Sequence, residues 1–488
     1  MGSEGRCSDS SSAFVDERAK QLVAASLNGD VAQLSTASEW MDALSAKDLV
    51  RFDRRVRRGW ITYGQRLQME RCWSASVLAA HPAVAIAAST FAHGYVRERA
   101  VNVLAWQEGP QAARALALRA YDPVHPIAYA ASAAVLARVD LGRMQVIAPI
   151  LFTMRRWQPR WRSDVFDDYV AEAEKVHGVS SVWSHLMTND DVHLRRYAYR
   201  RAADLGVLDV ERAVADYPVE RDVVVQQTLG KVVLQQGDPR VAARLLIRGH
   251  SVADRAAALA HLAADAFAFS DLRRVLVDRS SLVRLWARRR WTELDEDPVT
   301  TYREIVVESA QPARARARAY LGLTECGHPP DAATCRSLTL DRASPLRSTG
   351  LRLLSGRAEP SDPPWLLGLV AAGSRGESRW ARVVLGEQPY LWSVSDAESI
   401  WASPEPEVRR RAWMLCRARG GWDSVVADLR ACGDTDAMLH GAGRAVRAAI
   451  PQYKEPTEAQ RAQVACLLPS TGLSDVLQRE IAARAGLA

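Results

Sequence analysis

A short motif recurs along this chain at a nearly constant interval, and the interval limits the folds open to it. An apolar or small residue is followed by arginine, then by a small residue one helical turn on, then by apolar residues in helical register. Examples are Val96, Arg97, Ala100 and Leu104; Leu194, Arg195 and Ala198; Val283, Arg284 and Ala287; Ala313, Arg314, Ala317 and Leu321; and Val408, Arg409 and Ala412. Equivalent anchors fall at Val96, Ile127, Trp161, Leu194, Val223, Ala253, Val283, Ala313, Leu346, Ser378, Val408 and Leu439, with steps of 31, 34, 33, 29, 30, 30, 30, 33, 32, 30 and 31 residues. Between anchors lies a second amphipathic segment that often opens on proline, at 110–121, 239–248, 298–309 and 363–372. Proline at a first helical position gives up only an N–H that has no partner there. Each period therefore holds two helices and two short turns, with Gly206, Gly237, Gly249, Gly327 and Gly421 near helix ends, where a positive φ is tolerated.

One such pair cannot bury its apolar face alone, and 488 residues exceed what a single core encloses, so stacking of pairs must supply the core. The predicted fold is an all-α solenoid, a superhelix of about twelve helix pairs with a period of about 30 residues. Small residues four positions after the anchor (Ala100, Ala131, Ala198, Ala257, Ala287, Ala317, Gly350, Ala412 and Gly443) read as points of close helix approach. The pattern resembles HEAT repeats, particularly the short HEAT-like units of the phycobiliprotein-lyase family. The expected division is a disordered tail at 1–12, an irregular helical cap at 13–94, the repeat array at 95–449 and a C-terminal helical cap at 450–488. The resemblance also implies that the arginine after each anchor joins a ladder with acids of neighbouring units. That role falls to Arg97, Arg162, Arg195, Arg284, Arg314, Arg347, Arg379 and Arg409, with interruptions at Ile127, Val223, Ala253 and Leu439.

The balance of 64 basic to 57 acidic residues leaves +7, too small an excess for a dedicated nucleic-acid domain, so basic patches must be local. Lysine occurs only at positions 20, 47, 175, 231 and 454, and the chain is otherwise arginine-rich. Arginine suits bidentate carboxylate or phosphate contacts; its abundance beside Ala, Gly and Pro also fits a high-GC, bacterial coding sequence. Seven scattered cysteines with no C-x-x-C pair fit reduced thiols and a cytoplasmic setting. Residues 1–12 are polar and lack the apolar stretch of a signal peptide. Residues 72–96 carry no Asp, Glu, Lys or Arg, but His81, His93 and Pro82 favour two short helices over a membrane span.

Phosphate-loop, dinucleotide, zinc-protease and nucleophile-elbow motifs are missing, and no His-Glu dipeptide occurs. No catalytic residue, metal or cofactor is expected. His177, His185 and His193 are spaced by eight, yet Gly178 and the turn at 188–191 place them on different helices. Two segments combine arginine with tryptophan. The first, Arg155, Arg156, Trp157 and Arg160, lies where the repeat step lengthens to 34, so its turn is a candidate protrusion for stacking on bases or anchoring a protein. The competing reading packs Trp161, at an anchor position, in the core and pairs those arginines with Asp164, Asp167 and Asp168. The second is Arg284, Trp286, Arg288 and Arg289, with Arg314 and Arg318 repeating the spacing one unit later; these would form a basic plot on the concave surface. Its competing reading is the ladder plus a solvated face. Trp286, Trp291, Arg288 and Asp295 also match the ingredients of HEAT-like glycosylases that remove alkylated bases from DNA. The leading expectation is a non-enzymatic scaffold that binds a protein partner along its curved surface. The second is a nucleic-acid-associated protein that uses the Arg/Trp patch.

Overall fold

The structure, a computed structural model, describes residues 4–58, 62–157, 164–451 and 454–487, with side chains from Phe14 onward except at 442, 444, 445 and 448. Every regular element among the described residues is a helix. The chain divides into two compact units, Met1–Asp254 and Arg255–Ala488, a boundary that falls inside the expected array.

In the first unit the opening helix, Glu4–Asn28, starts within the stretch expected as a tail. Ala75–Ala80 and Pro82–Ala88 meet at His81-Pro82 as two short helices, and no described helix is long and apolar enough to cross a membrane. The anchor-bearing helices follow. Gly94–Leu104 packs on His125–Leu136, and Val192–Asp204 packs on Val223–Gln236; helices such as Pro110–Arg119, Val210–Asp216 and Pro239–Leu246 alternate with them. In the second unit the anchor helices Ser281–Thr292, Ala313–Glu325, Ser344–Leu353, Arg375–Glu387 and Pro406–Ala418 succeed one another, and the last four pack in sequence. Alternating with them are Pro298–Val307, Ala332–Thr339, Pro363–Ala372 and Glu398–Trp401. The solenoid-like, all-α stacking of helix pairs predicted from the period is what each unit contains.

Local chemistry starts these helices. Asp191, Asp222, Asp238 and Asp297 each accept two backbone N–H groups of the following turn, and Pro110, Pro239, Pro298, Pro363 and Pro406 occupy first-turn positions. Each side-chain cap contributes about 1 kcal/mol. The small residue of the motif works as a packing point. Ala100, Ala131, Ala198, Ala287 and Ala412 are fully enclosed, and a Cβ on Gly350 would lie 2.6 Å from the Cys335 carbonyl oxygen. Gly206, Gly327 and Gly421 have a positive φ, and Gly237 and Gly249 do not. Those two are required because a side chain would strike the Val233 carbonyl and the Tyr217 ring, respectively.

The arginine after the anchor ties one pair to the next. Arg97 donates from Nε and Nη2 to both Asp122 oxygens at 3.0 and 3.1 Å, while Nη1 reaches the Phe91 and Ala92 carbonyls at 2.9 Å. Asp122 in turn accepts the Val124 N–H and so fixes the start of the next anchor helix. Arg409 repeats this on Asp434, with Nη1 on the Ser403 and Pro404 carbonyls. Arg347 does the same with Glu377 and the Asp341 and Arg342 carbonyls. Arg284 grips Glu325 and the Asp278 carbonyl. Two members are shifted from the predicted register. Arg196 holds Asp222 in place of Arg195, whose approach to Glu220 is 3.9 Å, and Arg255 holds Asp278 in a unit expected to interrupt the ladder. Arg162 lies outside the described residues.

The ladder is deepest at Asp122, where Arg119 and Arg57 join Arg97, and Asp53 bridges Arg119 to Arg57. Burial opposes the Asp122 charge, but Arg119 and the Arg97 hydrogen bonds outweigh it and hold its carboxyl below the ordinary range. A carboxylate with a depressed folded-state pKa stabilises fully above its unfolded value, near pH 4, and the stabilisation is lost as pH falls through the folded value. Asp122→Asn is therefore expected to cost ~3 kcal/mol or more at neutral pH, with the difference from wild type shrinking below about pH 4, read by urea unfolding across pH. Gly350→Ala should destabilise by ~1–3 kcal/mol, while Gly368→Ala, exposed in a helix with nothing near its Cβ, should be neutral or gain up to ~1 kcal/mol in the same assay.

Candidate functional site

Charge is sorted between the two sets of helices in the second unit. The five anchor helices carry sixteen arginines and four glutamates and no other acid or base. The four helices that alternate with them carry two arginines and two glutamates. Acids in the turns include Asp297 and Asp331, which accept backbone N–H groups at helix starts, and Asp434, which holds Arg409.

Many of the sixteen arginines have structural duties. Arg284 and Arg288 share Glu325, Arg347 takes Glu377 and Arg409 takes Asp434. Others close the carbonyl ends of neighbouring helices, which have no intrahelical donor. Arg290 reaches the Leu259 and Ala260 carbonyls, Arg316 that of Val306, Arg318 that of Val277, and Arg411 those of Val370, Ala371 and Gly373. Five have neither role: the guanidinium groups of Arg314, Arg352, Arg375, Arg379 and Arg410 are exposed and make no hydrogen bond or ion pair among the described residues. Arg314 and Arg379 occupy the ladder position predicted for them, but no acid meets them.

These open charges gather in two places. Burial, with the positive charges of Arg284, Arg314 and Arg279, holds the Arg318 guanidinium below its ordinary value against the pull of Asp278. Burial and the charges of Arg411, Arg379 and Arg410 do the same to Arg382, opposed by Glu407. Half-buried tryptophans are interleaved with the arginines. Arg352 and Arg379 lie 5.3 and 5.6 Å from the Trp380 ring centre, Arg417 lies 5.1 Å from Trp413 and Arg289 lies 5.5 Å from Trp286. Such stacks present an aromatic edge and fixed positive charge together.

The predicted plot is therefore only partly a surface site. Arg284 is 2% exposed and is neutralised with Arg288 by Glu325, because the ladder needs its fork inside. Arg318 is half-buried under a helix end, and Arg289 leans on Trp286 and Glu293. Of the predicted plot, Arg314 alone offers an open guanidinium. Trp291 is buried, with Nε1 on Thr301 and its ring 4.5 Å from Phe269, so it is not on any surface where a flipped base stacks. In the first Arg/Trp segment only Arg155, among the described residues, takes the aspartates of the competing reading, and Trp161 lies outside those residues. Arg155 is held by Asp164 and Asp167 at 2.5 and 2.8 Å, and Trp157, itself exposed, has the Arg54 guanidinium 4.9 Å from its ring centre, whereas Arg156 is exposed and Arg160 lies outside the described residues. Sequence reasoning missed Arg352, Arg375, Arg379, Trp380 and Arg410 as a group. Counting charge separately on alternate helices would have found them.

No protein-family model matches the chain, and no curated protein matches it.

The two classes of arginine should separate by stability. Glu325→Gln, which strips Arg284 of its counter-charge, is expected to cost ~3 kcal/mol in urea unfolding of the full chain. Arg314→Ala and Arg379→Ala should each stay within ~0.5 kcal/mol of wild type.

Proposed function

We propose that this chain is a non-enzymatic scaffold built from HEAT-like repeats, and that the anchor helices of its second unit bind a nucleic-acid backbone. The observation that supports this reading is the sorting of charge: sixteen arginines against four glutamates on five successive helices, with five of the six exposed arginines taken by no acid among the described residues, Arg289 being the sixth. A planar guanidinium without a carboxylate is suited to a phosphate, and half-buried tryptophans beside it are suited to stacking on bases. Nothing in the arrangement favours catalysis. A protein partner, the broader use of a repeat scaffold, fits the same face only if the docking segment is acidic. The reading carries with it a cytoplasmic or nucleoid setting, where nucleic acid is at hand.

Titration of a fluorescent single-stranded oligonucleotide at several salt concentrations tests it. Binding should weaken steeply with salt, the log–log slope falling by roughly 0.7 for each phosphate-bound arginine removed. Replacing Arg314, Arg352, Arg375, Arg379 and Arg410 together by Ala should abolish binding while the melting temperature holds. Salt-insensitive binding, or binding that survives the fivefold replacement, would contradict the proposal.

A further inference from the structure

The first unit holds a cavity of about 330 Å³ that the arginine face does not explain. It is walled by Val214 on the Val210–Asp216 helix, by Pro218 just after that helix, and by Val241 and Leu245 on the Pro239–Leu246 helix. Its floor is Tyr217 and Gln226, both nearly fully buried. The floor is held in place from behind: Tyr217 Oη donates to Asp254 at 2.9 Å, and the Gln226 amide donates to the Tyr217 carbonyl at 3.3 Å. Gly249 completes the shape, since any side chain there would displace the Tyr217 hydroxyl. The rim carries Arg244, Arg248 and His250, and no acid lines the cavity. Arg244 is exposed and makes no ion pair or hydrogen bond among the described residues.

Four apolar walls around a fixed floor, with guanidinium at the mouth, define the ligand by elimination. A cation is repelled at the rim, and a sugar or other fully polar solute leaves Val214, Pro218, Val241 and Leu245 without a partner. We propose that this cavity binds a small amphiphilic anion, a carboxylate or phosphate on an apolar body, with the body between the Val214 and Leu245 walls and the head group on Arg244. The volume is at the lower end of small-molecule sites, which run from roughly 300 to 1,000 Å³, so the body is short, on the order of an eight-carbon chain.

Calorimetric titration of the full chain with octanoate, octyl phosphate and octylamine tests this. At least one of the two anions should bind with one-to-one stoichiometry, and octylamine about tenfold or more weaker. Which anion binds more tightly identifies the head group. Arg244→Glu should weaken anion binding about tenfold or more. Val241→Trp, which fills the cavity, should remove binding while helicity and the thermal transition stay as in wild type. Equal affinity for octylamine, no heat from either anion at millimolar ligand, or unchanged anion binding in both folded variants would overturn the assignment.

Discussion

The contact between an anchor-helix arginine and a carboxylate further along the chain, bidentate and 25 residues on at Arg97 and Arg409, is the interaction on which the stacking depends. In the Arg97, Arg347 and Arg409 units one guanidinium does two jobs at once, closing carbonyls of the turn before its helix and gripping an acid further along the chain. At Asp122 and Asp434 that acid also receives the N–H two residues on, so the direction of the arriving chain is set by the contact. A lysine has one nitrogen and no fork, and cannot satisfy carbonyls and carboxylate together. The abundance of arginine over lysine thus has a structural account before any partner is considered. Because these pairs are partly or wholly out of water, their net contribution is modest and their disruption costly, which makes them better at setting register than at adding stability.

The ladder also decides what is left over. Acids such as Asp297, Asp331 and Asp434 are used in the turns of the second unit, and the anchor helices keep few of their own. Where the ladder finds its acid, as at Arg284, Arg347 and Arg409, the arginine is withdrawn from the surface. Where it does not, as at Arg314 and Arg379, the same sequence position presents an open guanidinium. Arg352 and Arg379 then enclose Trp380, and Arg410 extends the charge onto the next helix. In the first unit the charge is uneven from helix to helix: Val165–His177 carries four acids and one lysine, Val192–Asp204 carries four arginines and one aspartate, and His125–Leu136 carries neither Asp, Glu, Lys nor Arg.

Much of the architecture was legible in the sequence because a period near 30 with a small residue one turn after the anchor leaves few alternatives to stacked helix pairs. The second helices open where Pro110, Pro239, Pro298 and Pro363 predict, since proline loses nothing there. What sequence spacing does not carry is which acid each arginine meets. Arg288 and Arg314 look alike in the motif, yet Glu325, thirty-seven residues beyond Arg288, neutralises only the former. The same limit hid the open cluster at Arg375, Arg379 and Arg410, whose members lie on two helices separated by an irregular segment with Trp392 buried in it. Trp291 misled for a related reason: its position beside four arginines suggested a surface, while its helical phase turns it into the core.

The central claim is that binding uses the anchor helices of the second unit and leaves the alternate helices untouched. Amide hydrogen exchange with and without a saturating single-stranded oligonucleotide tests it directly. The account predicts added protection in Ala313–Glu325, Ser344–Leu353, Arg375–Glu387 and Pro406–Ala418, with Pro298–Val307 and Pro363–Ala372 unchanged. Protection confined to the alternate helices or to the first unit, or none under conditions where binding is measured, would contradict it.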